Sequence, residues 1–294
     1  MNKLSPLLLG LSLAVAGSLS AAAQEMSSET PSIPKVLQIT REFIKAGKSG
    51  APHDKTESVF VQAMARAKWP THYIALSSLS GKSRALYLTG YPSFEAWEKD
   101  NAAMAKHTAL SAELDRASVA DGELLDSIDQ EVFYYDSELS YRASPDISSA
   151  RFFEISVFHV RPGHRKEWEE VAKMAIAAHQ KAGTSAHWAM FELVYGGEGG
   201  TYALLSADKS MAEIDTGFKE DKQFIEAMGE DGMKKFSELY GSAVDNSHQE
   251  LFSINPRQSY APEEWIKSDP DFWKPKAAAA PAMKPAAAEK KANP

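Results

Sequence analysis

The sequence predicts an α+β protein made of two tandem β-α-β-β-α-β units that pair with each other, and three observations predict it. The first is an internal repeat, because Gln130–Tyr141 (QEVFYYDSELSY) returns 119 positions later as Gln249–Tyr260 (QELFSINPRQSY). The second is a matching pair of histidines, His72 and His187, at the start of equivalent segments. The third is periodicity, since strand-like alternation and helix-like spacing follow each other in the same order in both copies.

Each element of the first copy follows from its local pattern. Val36–Ile44 alternates apolar and polar residues, which is typical of a half-buried strand. Ser93 is a good N-cap, so a helix is expected to begin there and to continue through Met104. The other elements predicted for this copy are a helix over Pro52–Lys68, strands over His72–Leu79 and Ala85–Gly90, a further helical segment, and a strand over Glu131–Tyr135.

The second copy repeats this order. The glycine-rich segment Gly196–Gly200 lies between two strand-like segments, so it is predicted to be a hairpin loop and not a phosphate-binding loop. The other elements are strands over Phe152–Val160, His187–Val194, Thr201–Ala207 and Glu250–Ile254, and helices over Arg165–Ala182 and Ser210–Met228.

The two ends of the chain indicate an exported protein with an unfolded tail. Lys3, an apolar stretch and the small residues Ala21–Ala23 are typical of a cleaved signal peptide, so a periplasmic or secreted location is expected. The tail is rich in Ala, Pro and Lys and has too few bulky apolar residues to fold. The predicted organisation is a signal peptide over 1–23, a first repeat over 32–142, a linker over 143–149, a second repeat over 150–262 and a C-terminal extension over 263–294.

Composition excludes several classes of function. The chain has no cysteine, which rules out thiol catalysis, thiolate-bound metals and iron–sulfur clusters. Its net charge of −8 disfavours nucleic-acid binding, because an acidic body repels phosphates. The apolar stretch at the start is too short and too interrupted for a membrane span, so no integral span is expected. No nucleotide-binding loop or nucleophile-elbow motif occurs.

The β-α-β-β-α-β order is that of the ferredoxin-like split unit. Together with the turn Val160–His164 (VRPGH) between a first strand and a first helix, it resembles the dimeric α/β-barrel superfamily, which includes antibiotic-biosynthesis-monooxygenase-like proteins. The resemblance covers both copies. It implies that two units face each other across an enclosed lumen, with the repeats pairing either within one chain or in a homodimer.

If such a lumen exists, strand alternation sorts the side chains between its two faces. We expect the apolar set on the first strands, such as Ile39 and Ile155, to pack under the helices and the more polar set to face the lumen. The residues predicted to bind a small, partly aromatic molecule are Thr40, Tyr73, Tyr87, Ser156, Phe158, Trp188 and His179.

Two carboxylates in this set are the predicted acid/base residues. Glu154 and Glu192 would lie near Trp188 and Phe158, and an apolar enclosure raises the pKa of a carboxyl group toward the range that a general base needs. The alternative interpretation is that both glutamates lie at the rim, where they are solvated or paired with a basic side chain.

The sequence predicts no metal site and no resident cofactor, because no histidine or carboxylate cluster has metal-ligand spacing. The resemblance keeps haem open as an alternative, since some members bind it between sheet and helix, with His179 or His107 as the candidate ligand. Three functions therefore remain. They are binding of a small molecule in the lumen, a cofactor-independent or haem-linked monooxygenase-like activity, and a non-catalytic scaffold in the cell envelope.

Overall fold

The structure is a computed structural model that describes residues 32–144 and 146–274. The predicted signal peptide and most of the Ala/Pro/Lys-rich tail lie outside these residues. The described chain contains eight strands. They are β1 (Val36–Ile44), β2 (Tyr73–Ser78), β3 (Arg84–Tyr91), β4 (Leu125–Tyr141), β5 (Phe152–Val160), β6 (Trp188–Tyr195), β7 (Thr201–Asp208) and β8 (Val244–Ile254).

Seven helices accompany the strands in the described residues. They are α1 (Ala51–Ala67), α2 (Phe94–Lys106), α3 (Thr108–Gly122), α4 (Arg165–Ala182), α5 (Met211–Ala243), α6 (Glu263–Ser268) and α7 (Pro270–Trp273). The predicted N-cap is present at the start of α2, where the Ser93 side chain accepts a hydrogen bond from the backbone N–H of Ala96. The described helices include none that is long and apolar enough to cross a membrane.

The eight strands close into one antiparallel barrel in the order β1-β3-β2-β8-β5-β7-β6-β4. Two seams join the copies, because β2 pairs with β8 and β4 pairs with β6. Each repeat thus completes its sheet with strands of the other. The predicted α+β class and the α/β-barrel architecture are confirmed, and the two repeats pair within one chain.

The barrel lumen is filled with apolar side chains, which reverses the face assignment made from the sequence. Ile39 and Ile155, expected under the helices, are instead buried inside the barrel. The reason is geometric. The interior of an eight-stranded barrel is narrow enough for its own side chains to fill, and here the enclosed face takes the most apolar set. That set is Leu37, Ile39, Ile74, Leu76, Leu86, Leu88, Phe133, Phe153, Ile155, Phe191, Leu193, Ala203, Leu205, Phe252 and Ile254.

The helices cover the outside of the barrel, and a C-terminal segment closes one end of it. Here α1 packs with α3 over the first copy, and α4 packs with α5 over the second. Residues 255–274, called the C-terminal strap below, run from β8 across the first copy to the end of the lumen. Trp273 is buried with the lumen residues, and its indole N–H donates to the carbonyl of Ser148 at 3.0 Å.

Candidate metal centre

The two glutamates predicted as acid and base do not form a pair. Glu154 lies beside Ser206 and Glu192 beside Tyr202, so the two glutamates are four positions apart along β7, about 13 Å along the strand. Both lie on the outer face of the barrel, and Glu192 forms a two-point ion pair with Arg165 at 2.8 and 2.9 Å. Glu192 is therefore paired with a basic side chain, and neither glutamate faces the lumen.

Glu154 is in a different environment. Its carboxylate accepts a hydrogen bond from Gln249 at 3.1 Å, and burial, followed by repulsion from Asp208, raises its pKa. Partial burial and a neighbouring carboxylate thus account for the raised pKa of Glu154.

The predicted ligand-binding residues of the second copy form a packed aromatic layer. Phe158 lies 4.8 Å from Trp168 of α4, measured between ring centroids. His179 contacts Phe224 at 4.5 Å and its Nδ1 lies 2.8 Å from the Thr184 hydroxyl. Trp188 donates its indole N–H to the carbonyl of Leu139 at 2.8 Å. These side chains hold α4 and α5 to the barrel and leave no room between them for a ligand.

Ser156 and Thr40 are equivalent residues of the first strands, and both face outward instead of into the lumen. Thr40 accepts a hydrogen bond from Gln130 of β4 at 3.2 Å, near the surface. Neither residue lines a binding cavity in the described structure. By contrast, Tyr73 and Tyr87 lie under α1, beside a group of charged side chains that the sequence did not predict.

That group consists of Glu42, His53, Glu57 and Asp121, and is called the His/carboxylate quartet below. One ligand-type atom from each residue lies within 4.8 Å of the others. His53 Nε2 is 3.0 Å from a Glu42 oxygen and 3.5 Å from an Asp121 oxygen. All four residues are buried, and His53 and Glu57 are only 1% and 3% exposed.

Three elements bring the quartet together. Glu42 lies near the end of β1 on the outer face, and Asp121 lies in the last turn of α3. His53 and Glu57 are four residues apart in α1, which places them on one side of that helix. The quartet therefore occupies the layer between the sheet and the α1/α3 pair.

Small residues in the sheet make space for these side chains. Ala75 and Ala85 are fully buried beneath the quartet, where the second copy has Met190 and Tyr202. Glu42 pairs directly across with Ala85, just as Phe158 pairs with Tyr202. Copy one therefore places polar side chains in the space that copy two fills with large apolar side chains.

The four quartet residues are also replaced by apolar or aromatic residues in the second copy. The residue offsets that relate the copies match Glu42 with Phe158, His53 with Trp168, Glu57 with Ala172 and Asp121 with Tyr240. In the second copy these four residues belong to a single apolar cluster. Packing of the repeat therefore does not require charge at these positions, and the quartet is specific to the first copy.

Three buried carboxylates without a counter-charge are costly. Within the described ranges, the quartet's ion pairs run only among its own members, and no Lys or Arg joins it. Burial is the largest cause that raises the pKa of Glu57, to about 9, followed by the negative charges of Glu42 and Asp121. A bound cation would remove this cost.

Neighbouring polar residues orient the quartet. Thr56 donates its hydroxyl to Asp121 at 2.5 Å. Gln258, in the C-terminal strap, donates to Asp54 at 2.9 Å and lies 3.2 Å from His53 Nδ1. Burial, and then the charges of Glu57 and Glu42, raise the pKa of Tyr87 well above its usual value, so this phenol keeps its proton.

The quartet could not be predicted from the spacing of residues along the chain. The pattern His53-x-x-x-Glu57 on one helix was the available signal, and it is weak by itself. Glu42 and Asp121 join that pair only through the fold. The difference between Glu42 and Phe158, visible when the copies are aligned, was the better indicator.

Comparison with known proteins supports the fold and goes no further. No protein-family model matches the chain, and no curated protein matches it. Among solved structures, a proposed monooxygenase from Fusobacterium nucleatum is similar at 11% identity, over 76% of this chain and 94% of that chain, with a TM-score of 0.51. An anthrone oxidase-like protein has 13% identity over 78% and 95%, with a TM-score of 0.48. A haem-binding protein from Thermus thermophilus has 10% identity over 82% and 98%, with a TM-score of 0.42.

The similarity to the Fusobacterium nucleatum structure and the closed eight-stranded barrel define the class: the chain has the dimeric α/β-barrel fold. The residues considered for haem do not fit that group. His179 is stacked and hydrogen-bonded inside a packed layer, and His107 caps α3 by accepting the backbone N–H of Leu110 at 3.3 Å. Both imidazoles thus already have hydrogen-bond partners within the fold.

Proposed function

We propose that this protein binds one divalent transition-metal ion in the first repeat, with Glu42, His53, Glu57 and Asp121 as ligands. The observation that carries the proposal is the convergence of one imidazole and three carboxylates, all buried, within 4.8 Å of one another. Ligands 2.0–2.2 Å from a metal lie about 3 to 4 Å apart, so small side-chain rotations would close the set around an ion.

The donor set indicates which ions fit. Oxygen-rich sites favour Mn²⁺ over soft ions, and an imidazole adds affinity for Fe²⁺ and Zn²⁺. A divalent ion neutralises two of the three carboxylates. The third, Glu57, has a pKa raised to about 9 by burial and neighbouring charge, so it must release a proton to the solvent when it binds the ion.

The other functions considered from the sequence have less support. A small-molecule site in the lumen conflicts with the apolar side chains that fill it. A monooxygenase-like activity would rest on structural likeness at low identity, which supports the fold alone. We keep export as part of the proposal, supported by the pattern of residues 1–23, and in that location the ion would be taken up outside the cytoplasm.

Metal titration of the mature chain tests the proposal. After chelation, the protein should bind one Mn²⁺ or Zn²⁺ per chain, measured by calorimetry and by elemental analysis after gel filtration. Glu57→Gln and His53→Gln should each lower the affinity at least about tenfold, because each removes one ligand. Glu57→Gln keeps the shape and neutral charge of the protonated side chain, so this variant should still fold.

Glu154→Gln is the matched control. It changes a half-buried glutamate on the same barrel that contacts Gln249 and not the quartet, so metal affinity should stay within about twofold. Absence of stoichiometric binding in the wild type, or equal binding by the quartet variants and the wild type, would overturn the proposal. Circular dichroism of each variant checks that the fold is retained.

A further inference from the structure

The side chain that joins the quartet to the rest of the molecule is Gln258. It lies in the C-terminal strap, it is 2% exposed, and its amide touches His53, Asp54 and Tyr87. The strap is held nearby through β2. The Asn255 N–H donates to the carbonyl of Ala75 at 2.8 Å, and the Ser259 hydroxyl accepts a hydrogen bond from the Ala75 N–H at 2.9 Å.

The surroundings of Gln258 determine how its amide is oriented. An Asp54 carboxylate oxygen 2.9 Å away can only accept, so it requires the NH₂ group of Gln258. The Tyr87 hydroxyl donates to the amide oxygen at 3.4 Å. The second N–H of the amide therefore points to Nδ1 of His53, 3.2 Å away.

This orientation assigns the tautomer of His53. Nδ1 faces a donor, so Nδ1 is the acceptor and the ring proton lies on Nε2. Nε2–H then donates to Glu42 at 3.0 Å. With the strap docked, the nitrogen that faces the three carboxylates is thus protonated.

A metal ion needs the opposite tautomer. Only the lone pair of Nε2 points into the quartet, so on binding the proton must leave Nε2 and be carried by Nδ1. The Nδ1–H group would then face the NH₂ group of Gln258, so two hydrogen-bond donors would oppose each other. Rotating the amide would relieve this conflict, but it would place the amide oxygen against the Asp54 carboxylate, so two acceptors would oppose each other.

We infer, on the basis of the metal site proposed above, that Gln258 is a positioning residue that opposes metal binding while the strap is docked. Metal binding then loosens the strap. Its far end closes the barrel, since Trp273 is buried with the lumen residues and Trp265 and Phe272 pack against them. Metal occupancy therefore controls whether this end of the apolar lumen is covered.

Hydrogen–deuterium exchange of the full mature chain, with and without saturating Zn²⁺, tests the inference without any variant. Peptides of residues 255–274 should exchange faster in the zinc-loaded protein, whereas peptides of α4 should be unchanged. In the metal-free protein, ¹⁵N imidazole resonances of His53 should show the proton on Nε2.

Gln258→Met supplies the second measurement, because it keeps the side-chain length and removes the amide. If zinc binding weakens docking of the strap, removing the Gln258 amide must strengthen zinc binding, so the Zn²⁺ affinity of this variant should rise about tenfold. Hydrogen–deuterium exchange of the strap should then no longer depend on zinc. A residue with a structural role only would not raise the affinity when replaced. The control is Gln249→Met, which alters an amide that contacts Glu154 instead of the quartet.

The outcomes separate the two proposals. If the wild type binds no metal, the proposed function and the inference fall together. If it binds one ion but strap exchange slows or does not change, or if Gln258→Met binds zinc no more tightly than the wild type, the inference alone is overturned.

Discussion

Glu57 shows how one side chain of the first copy differs from the repeat's ordinary packing. At the equivalent position the second copy has Ala172, which lies on the buried face of α4 and belongs to an apolar cluster. A carboxyl group in such a layer is stable only when it is neutral or when a cation is present. The first copy therefore gives up packing stability to keep an ionisable group at this position.

This environment predicts an unusual pH dependence for the metal-free protein. The folded pKa of Glu57 is raised to about 9 by burial and by two neighbouring carboxylates, above its usual value of 4.5. Between these values the folded state binds the additional proton, so the free energy of unfolding should fall as pH rises, by at most about 1.4 kcal/mol per pH unit. Below pH 4.5 this contribution is fully present, and above about 9 it is lost.

Urea unfolding in the presence of a chelator, at several pH values from about 5 to about 8.5, measures this dependence. Glu57→Gln should flatten it, because the amide does not titrate. Replacement of the exposed Glu123 by Gln should leave the slope unchanged. A wild-type protein whose stability rises steadily through this range would contradict the assignment of Glu57 as the dominant group.

Among the elements, α5 departs most from its sequence prediction. The pattern predicted a helix over Ser210–Met228, whereas α5 continues to Ala243 after a break at Gly229. Gly229 has φ 74° and ψ 168°, a backbone region that is accessible essentially to glycine alone. The predicted helix thus ended where the helical geometry is interrupted. The sequence did not predict the second part of α5, which packs Phe236 and Tyr240 against the barrel.

Gly229→Ala should therefore destabilise the protein by about 1–3 kcal/mol, since the new side chain meets the wrong backbone conformation. No atom lies within 4 Å of the added Cβ, so the cost comes from the backbone and not from a clash. Gly241→Ala is the matched control, because Gly241 lies in the same element with helical geometry and equal open space. It should be neutral or stabilise by about 0.5–1 kcal/mol. Thermal unfolding of both variants gives the comparison.

Strand periodicity predicted the elements well, because it is a local property. The predicted and observed bounds of β1 and β5 agree, at Val36–Ile44 and Phe152–Val160. Periodicity separates two faces but cannot say which face meets the helices. That choice depends on closure of the barrel, and closure involves all eight strands.

The candidate site was hidden for the same reason. Its four ligands come from β1, α1 and α3, with Asp121 lying 79 positions after Glu42. Tyr73 and Tyr87 were predicted to bind a ligand and do border the quartet, but they approach it from the sheet under α1 and not from the lumen. Nothing in local spacing indicates such a convergence.

At the scale of the whole molecule, the interlocked seams predict that the two repeats unfold together. Copy one cannot keep a closed sheet without β8 and β6 of copy two, and all eight strands contribute to one lumen core. A repeat that loses its partner would expose that apolar face to water at about 25 cal/mol per Å². The repeats should therefore form one cooperative unit in spite of their independent sequence patterns.

Two substitutions placed in opposite halves test this cooperativity in the metal-free protein. Leu76→Ala, in the lumen core of copy one, and Trp168→Ala, on the buried face of α4 in copy two, should each cost about 2–5 kcal/mol. Each should shift one and the same transition, with tryptophan fluorescence, circular dichroism and calorimetry coinciding. Two separate transitions, with each variant moving only one of them, would show instead that the repeats fold as independent domains and that the seams contribute little. Because the quartet lies outside the lumen core, saturating metal should raise the midpoint of the single transition without splitting it.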